Sequence, residues 1–199
     1  MGTGPVGFTH LSWPLRTART SLRPVAATDR EAVHAYRSLE EVTTFLGRGP
    51  MDLDEVDDRI AENLARSQPG HPLPLQGLVI EVDGAVVGDA MVRLQPDDNG
   101  MWLALIGYTL HPAHAGQGLA TEVAEALVRL SFTELGVAMV QADVFAPHLA
   151  SQRVLEKVGM RRIGMTPAGS EGGGHPRMDD YLYAVTAAEW AASPRATVT

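Results

Sequence analysis

The sequence predicts an α+β fold (mixed α/β) built on one largely antiparallel sheet, and three observations predict it. Two β-rich runs, 76–82 and 85–94, meet at Asp83-Gly84, a strong two-residue hairpin signal. A third run, 101–110, follows the turn-forming Asp97-Asp98-Asn99-Gly100, so the three runs read as an antiparallel meander. A strand–helix–strand unit comes next, through 145, and a right-handed crossover of that size makes its two strands parallel. The element order is β-α-α-β-β-β-α-β-α-β-β, antiparallel early and parallel around a glycine turn.

Residues 1–12 are glycine-rich and aperiodic and read as a flexible lead-in, followed by a single domain over 13–190 and a flexible tail over 191–199. Thr20 to Pro24 forms the first strand. Thr28-Asp29-Arg30-Glu31 has capping-box spacing and starts a helix through about Glu40. Asp52 or Asp54 begins the second helix, with Val56, Ile60 and Leu64 four residues apart. Pro69, Gly70, Pro72 and Pro74 make a stiff loop before the meander. After it, Leu119, Val123, Leu127 and Leu130 mark a helix over about 116–135 that Gly136 stops. A strand over 137–145, a short helix over 149–158 closed by Gly159, and strands over 161–166 and 178–186 complete the order. The last two strands are separated by a glycine-rich loop over 169–174.

Composition narrows the function classes. The 199-residue chain has no cysteine, which excludes disulfides, thiolate metal sites and cysteine nucleophiles. No apolar run reaches membrane-spanning length, and the first residues match neither a secretory signal nor a myristoylation motif. A cytoplasmic protein is expected, without a membrane partner. A net charge of −8 disfavours nucleic-acid binding and mildly favours a cationic substrate. The acids Asp52, Asp54, Glu55, Asp57, Asp58 and Glu62 gather around the second helix and read as a solvated face.

The stretch from Gly107 to Leu130 carries the clearest chemistry. A strand ends at Pro112, Gly116 and Gly118 follow, and an amphipathic helix begins. Such a turn gathers free N–H groups and the positive end of a helix dipole at one point, which suits a phosphate. Glycine lets the backbone approach the anion closely.

These residues resemble the GNAT superfamily of N-acetyltransferases, and most closely its Rim-type ribosomal-protein N-terminal acetyltransferases. The resemblance lies in Trp13-Pro14-Leu15-Arg16-Thr17, Ser21-Leu22-Arg23-Pro24, Val87-Gly88-Asp89, Gly107-Tyr108, the loop Gly116-Gln117-Gly118-Leu119-Ala120-Thr121-Glu122, the segment Ala150 to Met160, and Glu189-Trp190. It spans about residues 13–190. It implies helices on both faces of a sheet splayed between its fourth and fifth strands. The resemblance also implies acetyl-coenzyme A there as acyl donor, its pantetheine arm on the backbone near Thr109 and Leu110 and its pyrophosphate on Ala115, Gly116, Gln117, Gly118, Leu119, Ala120 and Thr121. An amine attacks the thioester directly, and Ser151 matches the position that protonates the leaving thiolate. A hydroxyl at a helix start is also a common cap. The acceptor implied is a protein N-terminus or a small cationic amine, and dimers occur in the superfamily.

The chain departs from the family at three places. Ala115 stands where Arg or Gln is usual, Leu105 where an acid is usual, and His148 where Asn is usual. His148 has three roles open to it: a cofactor contact, proton transfer, or a tolerated surface residue. Glu171, in the glycine-rich loop, is a candidate proton relay or a solvated carboxylate. Asp89 is either a buried structural group or a cleft residue. His111 and His114 make poor metal ligands without a third, and no metal is expected. Trp102 and Tyr108 read as core or cleft wall, and one of Tyr181 and Tyr183 as a lining of the acceptor pocket. Two rivals remain. A Rossmann oxidoreductase would use Gly116, Gly118 and Asp143, but the third glycine is replaced by Thr121. A non-catalytic acyl-coenzyme A binding or sensor module would keep the loop and lose the chemistry.

Overall fold

The computed structural model describes residues 7–169 and 178–197. Its strands are β1 (Leu15–Arg16), β2 (Ser21–Pro24), β3 (Leu75–Val82), β4 (Ala85–Pro96), β5 (Trp102–Leu110), β6 (Met139–Phe145), β7 (Arg161–Thr166) and β8 (Asp180–Thr186). Its α-helices are α1 (Arg30–Arg37), α2 (Glu40–Thr43), α3 (Leu53–Arg66), α4 (Leu119–Thr133), α5 (Leu149–Lys157) and α6 (Ala187–Ala191). Among the described residues the strands form one sheet in the order β1-β2-β3-β4-β5-β6-β8-β7. Only β5 and β6 run parallel. The fourth and fifth strands of the sequence reading are β5 and β6, because β1 adds a two-residue strand ahead of β2.

Local chemistry sets much of this. Asp83 and Gly84 both take positive φ, 51° and 80°, the left-handed pair that a two-residue hairpin needs, and Val82 pairs with Ala85 across it. Asp52 caps α3 by accepting from the Glu55 N–H at 2.9 Å, while Glu55 accepts from the Asp52 N–H at 2.9 Å. The acids of this helix are only partly a solvated face, since Asp57 accepts from Arg30 at 2.7 Å.

Two boundaries differ from expectation. The first helix starts at Arg30 behind a 3-10 turn, because Asp29 takes over the capping from Thr28 and Glu31. Its carboxylate accepts from the Ala26 N–H at 2.8 Å and from two Arg23 nitrogens at 2.8 Å. The helix then ends at Arg37, and Glu40 opens the separate α2. The packed structure also begins earlier than residue 13: Phe8 is 4% exposed in the main core, and His10 lies 3.2 Å from the Glu134 carbonyl. At the other end, residues 194–197 form a 3-10 turn after α6.

Alternation along the strands builds two cores. Leu78 and Ile80 point to one face, against Val123 and Leu127 of α4. Val79 between them points to the other, against Val33 and Tyr36 of α1 and Val56 and Ile60 of α3. Helices therefore cover both faces. Among the described residues, no helix is long and apolar enough to cross a membrane.

The feature that positions the site is a split in the sheet. β5 and β6 pair only at Leu103–Met139, Ala104–Val140 and Leu105–Gln141. Beyond that, Ile106 to Leu110 pair with β4 alone and Ala142 to Phe145 with β8 alone, so the facing edges diverge. Gly88 lets β4 follow β5 to its end, since a Cβ there would lie 2.1 Å from the Thr109 carbonyl oxygen.

Candidate active site

A cleft of about 680 Å³ runs through this split, lined by residues from both sheet faces. On the α4 side its wall is the glycine turn. Gly116 and Gly118 have φ of 73° and 83°, and Gly118 is the N-cap of α4. The N–H groups of Gly116, Gln117, Gly118, Leu119 and Ala120 donate to no other described residue, while those of Thr121 and Glu122 already bond the Gly118 carbonyl. A Cβ built on Gly116 meets nothing within 4 Å. The turn is thus an open cradle of unsatisfied donors at the positive end of a 15-residue helix, and a pyrophosphate fits it. Ala115 stands apart from the cradle, since its N–H donates to the Pro112 carbonyl at 3.0 Å.

The β1–β2 turn holds the cradle in place. The Glu122 carboxylate accepts from the Thr17 hydroxyl, from the Arg19 N–H at 2.7 Å and from Arg19 Nε at 2.9 Å. Burial alone would raise the Glu122 pKa, but these donors hold it below the usual carboxylate range. Arg19 Nη1 also donates to the Gln117 carbonyl at 2.9 Å, so one arginine ties the turn to the first turn of α4.

At the throat, Tyr108 of β5 reaches Ser151 in the first turn of α5, with the two hydroxyl oxygens 3.0 Å apart. Tyr108 stands beyond the last β5–β6 pair and lines the cleft. Burial pushes its pKa up to about 12, against the lowering effect of Ser151, so the phenol keeps its proton at neutral pH. Sequence reasoning treated Tyr108 only as core or cleft wall.

His148 caps no N–H of α5 with its side chain; it stacks on Phe45, ring centroids 4.3 Å apart and planes 11° apart. Desolvation lowers its pKa from the ordinary 6.5, so the ring is neutral at pH 7. The unfolded chain therefore binds more protons than the folded one just below that value, and stability falls as the pH falls through it. Urea midpoints at about pH 5.5 and about pH 7.5 should differ more in the native chain than in His148→Asn. Equal shifts in the two would show that the stack does not disfavour the charged ring.

The face covered by α1 and α3 supplies a buried ionic group. Asp89 is 8% exposed and accepts from Arg37 Nε at 2.8 Å, from Arg37 Nη2, and from the Tyr36 hydroxyl at 3.0 Å. Arg37 Nη2 continues to Thr109 Oγ1 at 3.2 Å. Burial would raise the Asp89 pKa, but Arg37 and then Arg59 overcome it and hold the carboxylate ionised. Both readings of Asp89 therefore apply at once, for the buried group also lines the cleft.

Leu105 is 7% exposed and carries no acid to the site, but Asp143 does so from the facing strand. Alternation along β6 buries Ala142 and Val144 on the α4 side and turns Asp143 to the other face. The walls of the cleft raise its pKa by desolvation, with Arg93 opposing. An acid between two apolar strand residues was the signal that could have found it.

The structure brings Thr109, Leu110, Ala115, Gly116, Gly118, Leu119, Ala120, Thr121, His148 and Ser151 together around the cleft. Gln117 turns its side chain back onto the Ala113 carbonyl, 3.2 Å away. Glu171 lies outside the described residues. Neither Tyr181 nor Tyr183 lines the cleft, contrary to expectation: Arg162 lies over the Tyr181 ring at 4.4 Å, and Tyr183 donates to Glu156 at 3.3 Å. His111 spends Nδ1 on the Ala113 N–H at 3.1 Å, and no group of three metal-ligating side chains occurs among the described residues.

Comparison with known proteins converges with this geometry. Residues 19–161 match the family model described as an acetyltransferase (GNAT) domain. The chain is 24% identical over 180 residues to YnaD of Bacillus subtilis strain 168, described as an uncharacterized N-acetyltransferase, covering 88% of this chain and 98% of the relative. RimJ of Mycobacterium smegmatis, solved with a coenzyme A disulfide, superposes with a TM-score of 0.77 at 25% identity over 92% of this chain and 90% of its own. Spermidine N-acetyltransferase of Vibrio cholerae, solved with coenzyme A and spermine, superposes at 0.70 with 16% identity over 87% and 98%.

Proposed function

Because the chain belongs to the GNAT acetyltransferase family, whose acyl donor is acetyl-coenzyme A, we propose that it transfers acetyl from that donor to a primary amine bound in the split of the sheet. The observation that carries this reading is the row of unsatisfied N–H groups from Gly116 to Ala120, continuous with the unpaired edge of β5 and ending at the Tyr108–Ser151 pair. The pyrophosphate sits on the first, and the pantetheine arm adds to the β5 edge near Thr109 and Leu110 as an extra strand. Ser151, Tyr108 and His148 remain at the thioester end.

The amine enters from the α1/α3 face, where Asp143 receives its ammonium and takes the proton that leaves before attack. The nitrogen then attacks the thioester carbonyl, a C–N bond forms, the C–S bond breaks, and the nitrogen gives up its second proton to water to leave the neutral amide. Ser151 donates its hydroxyl proton to the departing sulfur while the Tyr108 hydroxyl donates to Ser151 Oγ, and solvent restores the proton consumed. Asp143 stands in for the acid that the family places at Leu105. The acceptor is a protein N-terminus or a small amine, and the place of action is the cytoplasm. A non-catalytic binding module would need the cradle alone, and the proton-holding pair at the throat favours turnover instead.

Calorimetry with acetyl-coenzyme A and with NAD, followed by an amine screen read by thiol release, tests the reading. Binding of acetyl-coenzyme A alone, with thiol release, supports it; binding of NAD, or binding with no turnover on any amine, overturns it. Ser151→Ala and Tyr108→Phe should each lower kcat about 10- to 100-fold with little change in donor affinity. The double variant should fall little further, because the two hydroxyls act as one unit. Strictly additive losses would separate their roles.

A further inference from the structure

Asp89 is hydrogen-bonded by one arginine, and a second arginine stands at the outer limit of ion-pair distance from it with no hydrogen bond of its own among the described residues. Arg37 gives Asp89 two charge-assisted hydrogen bonds. Arg59, on α3, comes no closer to Asp89 than 4.0 Å, beyond hydrogen-bond range, and its side chain makes no hydrogen bond among the described residues. Yet it lines the cleft and keeps 28% of its side-chain exposure, so a ligand can reach it. Burial pulls its pKa below the ordinary arginine value, with Arg37 and Arg48 repelling it and Asp89 only partly compensating. Arg48 lines the same mouth, on the loop before α3, and makes no ion pair among the described residues. Among the described residues, the acids lining the cleft are Asp89, already hydrogen-bonded by Arg37, Glu41 of α2, which makes no ion pair among them, and Asp143 on β6. The α1/α3 side thus offers a carboxylate on β6 and a guanidinium with no hydrogen-bond partner among the described residues.

We propose that Arg59, assisted by Arg48, is an anion subsite, so that the acceptor is an amine carrying a carboxylate. This rests on the acetyl-transfer reading above and deepens it. Asp143 lies two residues beyond the last β5–β6 pair, in line with Gly107, and Asp89 pairs with Thr109, a further two residues along β5. Two residues of strand span about 7 Å, and β4 and β6 flank β5 on opposite sides, so the two carboxylates lie on opposite sides of β5. The acceptor's anion is the α-carboxylate of a free amino acid or the side-chain carboxylate of the second residue in a peptide. A purely polycationic acceptor would set an ammonium against two guanidiniums, at an energetic cost.

The test uses wild-type protein and matched acceptors read by thiol release. One arm compares L-serine with L-serinamide; the other compares a serine-first dipeptide amide whose second residue is glutamate with its glutamine counterpart. A carboxylate hydrogen-bonded to a guanidinium should raise kcat/KM about 10- to 100-fold in the arm that matches the natural source. In Arg59→Gln that ratio should fall towards one, with acetyl-coenzyme A binding reporting that the variant is folded. If Arg59→Gln does not fold, Arg59→Lys replaces it, and there the ratio must shrink several-fold, because ammonium lacks the fork that grips a carboxylate. Equal or faster turnover of the neutral members overturns the anion subsite and leaves acetyl transfer standing. A preference that survives loss of Arg59 overturns its assignment to that residue. No thiol release from any acceptor overturns both proposals.

Discussion

Asp89→Ala is expected to lower the unfolding free energy by about 3–5 kcal/mol, the usual cost of removing one partner from a buried ion pair. The alanine would leave the buried Arg37 guanidinium facing Arg59 with no carboxylate between them, and the Tyr36 hydroxyl without its acceptor. Asp89→Asn keeps the shape but not the negative charge, so most of the loss should persist. Urea unfolding at neutral pH is the measurement. A change below about 1 kcal/mol would mean that Arg37 relaxes into water or onto Thr109, and that the cluster holds no stability of its own. The sign with pH follows from the depressed Asp89 pKa: its contribution is present above the ordinary aspartate value and is lost as the pH falls through the lower folded one. Strong acid should therefore reproduce the variant.

Gly118→Val should weaken acetyl-coenzyme A binding by at least about 100-fold, since several charge-assisted bonds from one cradle are lost together. Two effects act in the same direction. At φ 83° a β-branched residue is strained and pulls the turn towards another conformation. The new side chain would also approach Arg19 Nη2, which a Cβ alone already meets at 3.4 Å, and so loosen the arginine that ties the turn to α4. Calorimetry on a variant with an unaltered circular dichroism spectrum reads the effect. Undiminished affinity would place the pyrophosphate elsewhere.

What could be read from the chain follows the range of the interactions involved. The hairpin at Asp83-Gly84, the α3 cap at Asp52 and the glycine turn are written in residues a few positions apart, and each forms where it was expected. The split between β5 and β6 was reached through family resemblance, because no local pattern says where two strands stop pairing. Thr28 and Glu31 matched a capping box as well as Asp52 and Glu55 did, but Arg23 across the strand drew Asp29 into the cap instead. The cluster of Arg37, Arg59 and Asp89 joins residues 52 and 30 positions apart along the chain, and alternation within β4 shows Asp89 only as an acid among apolar neighbours. Asp143 was noticed for the wrong reason, as a ribose ligand of a doubly wound sheet, when its position on β6 turns it into the cleft.

The cradle at the start of α4 has a consequence for how such a chain can diverge. Its donors are main-chain groups, which every substitution except proline preserves. Only the backbone path must be preserved, which here rests on two glycines and the brace from Arg19 to Gln117 and Glu122. Side chains around them are free to drift. A lineage built this way can forget most of its spelling and still handle the same donor, while the opposite wall, made of arginine and aspartate side chains, is where new substrates are written.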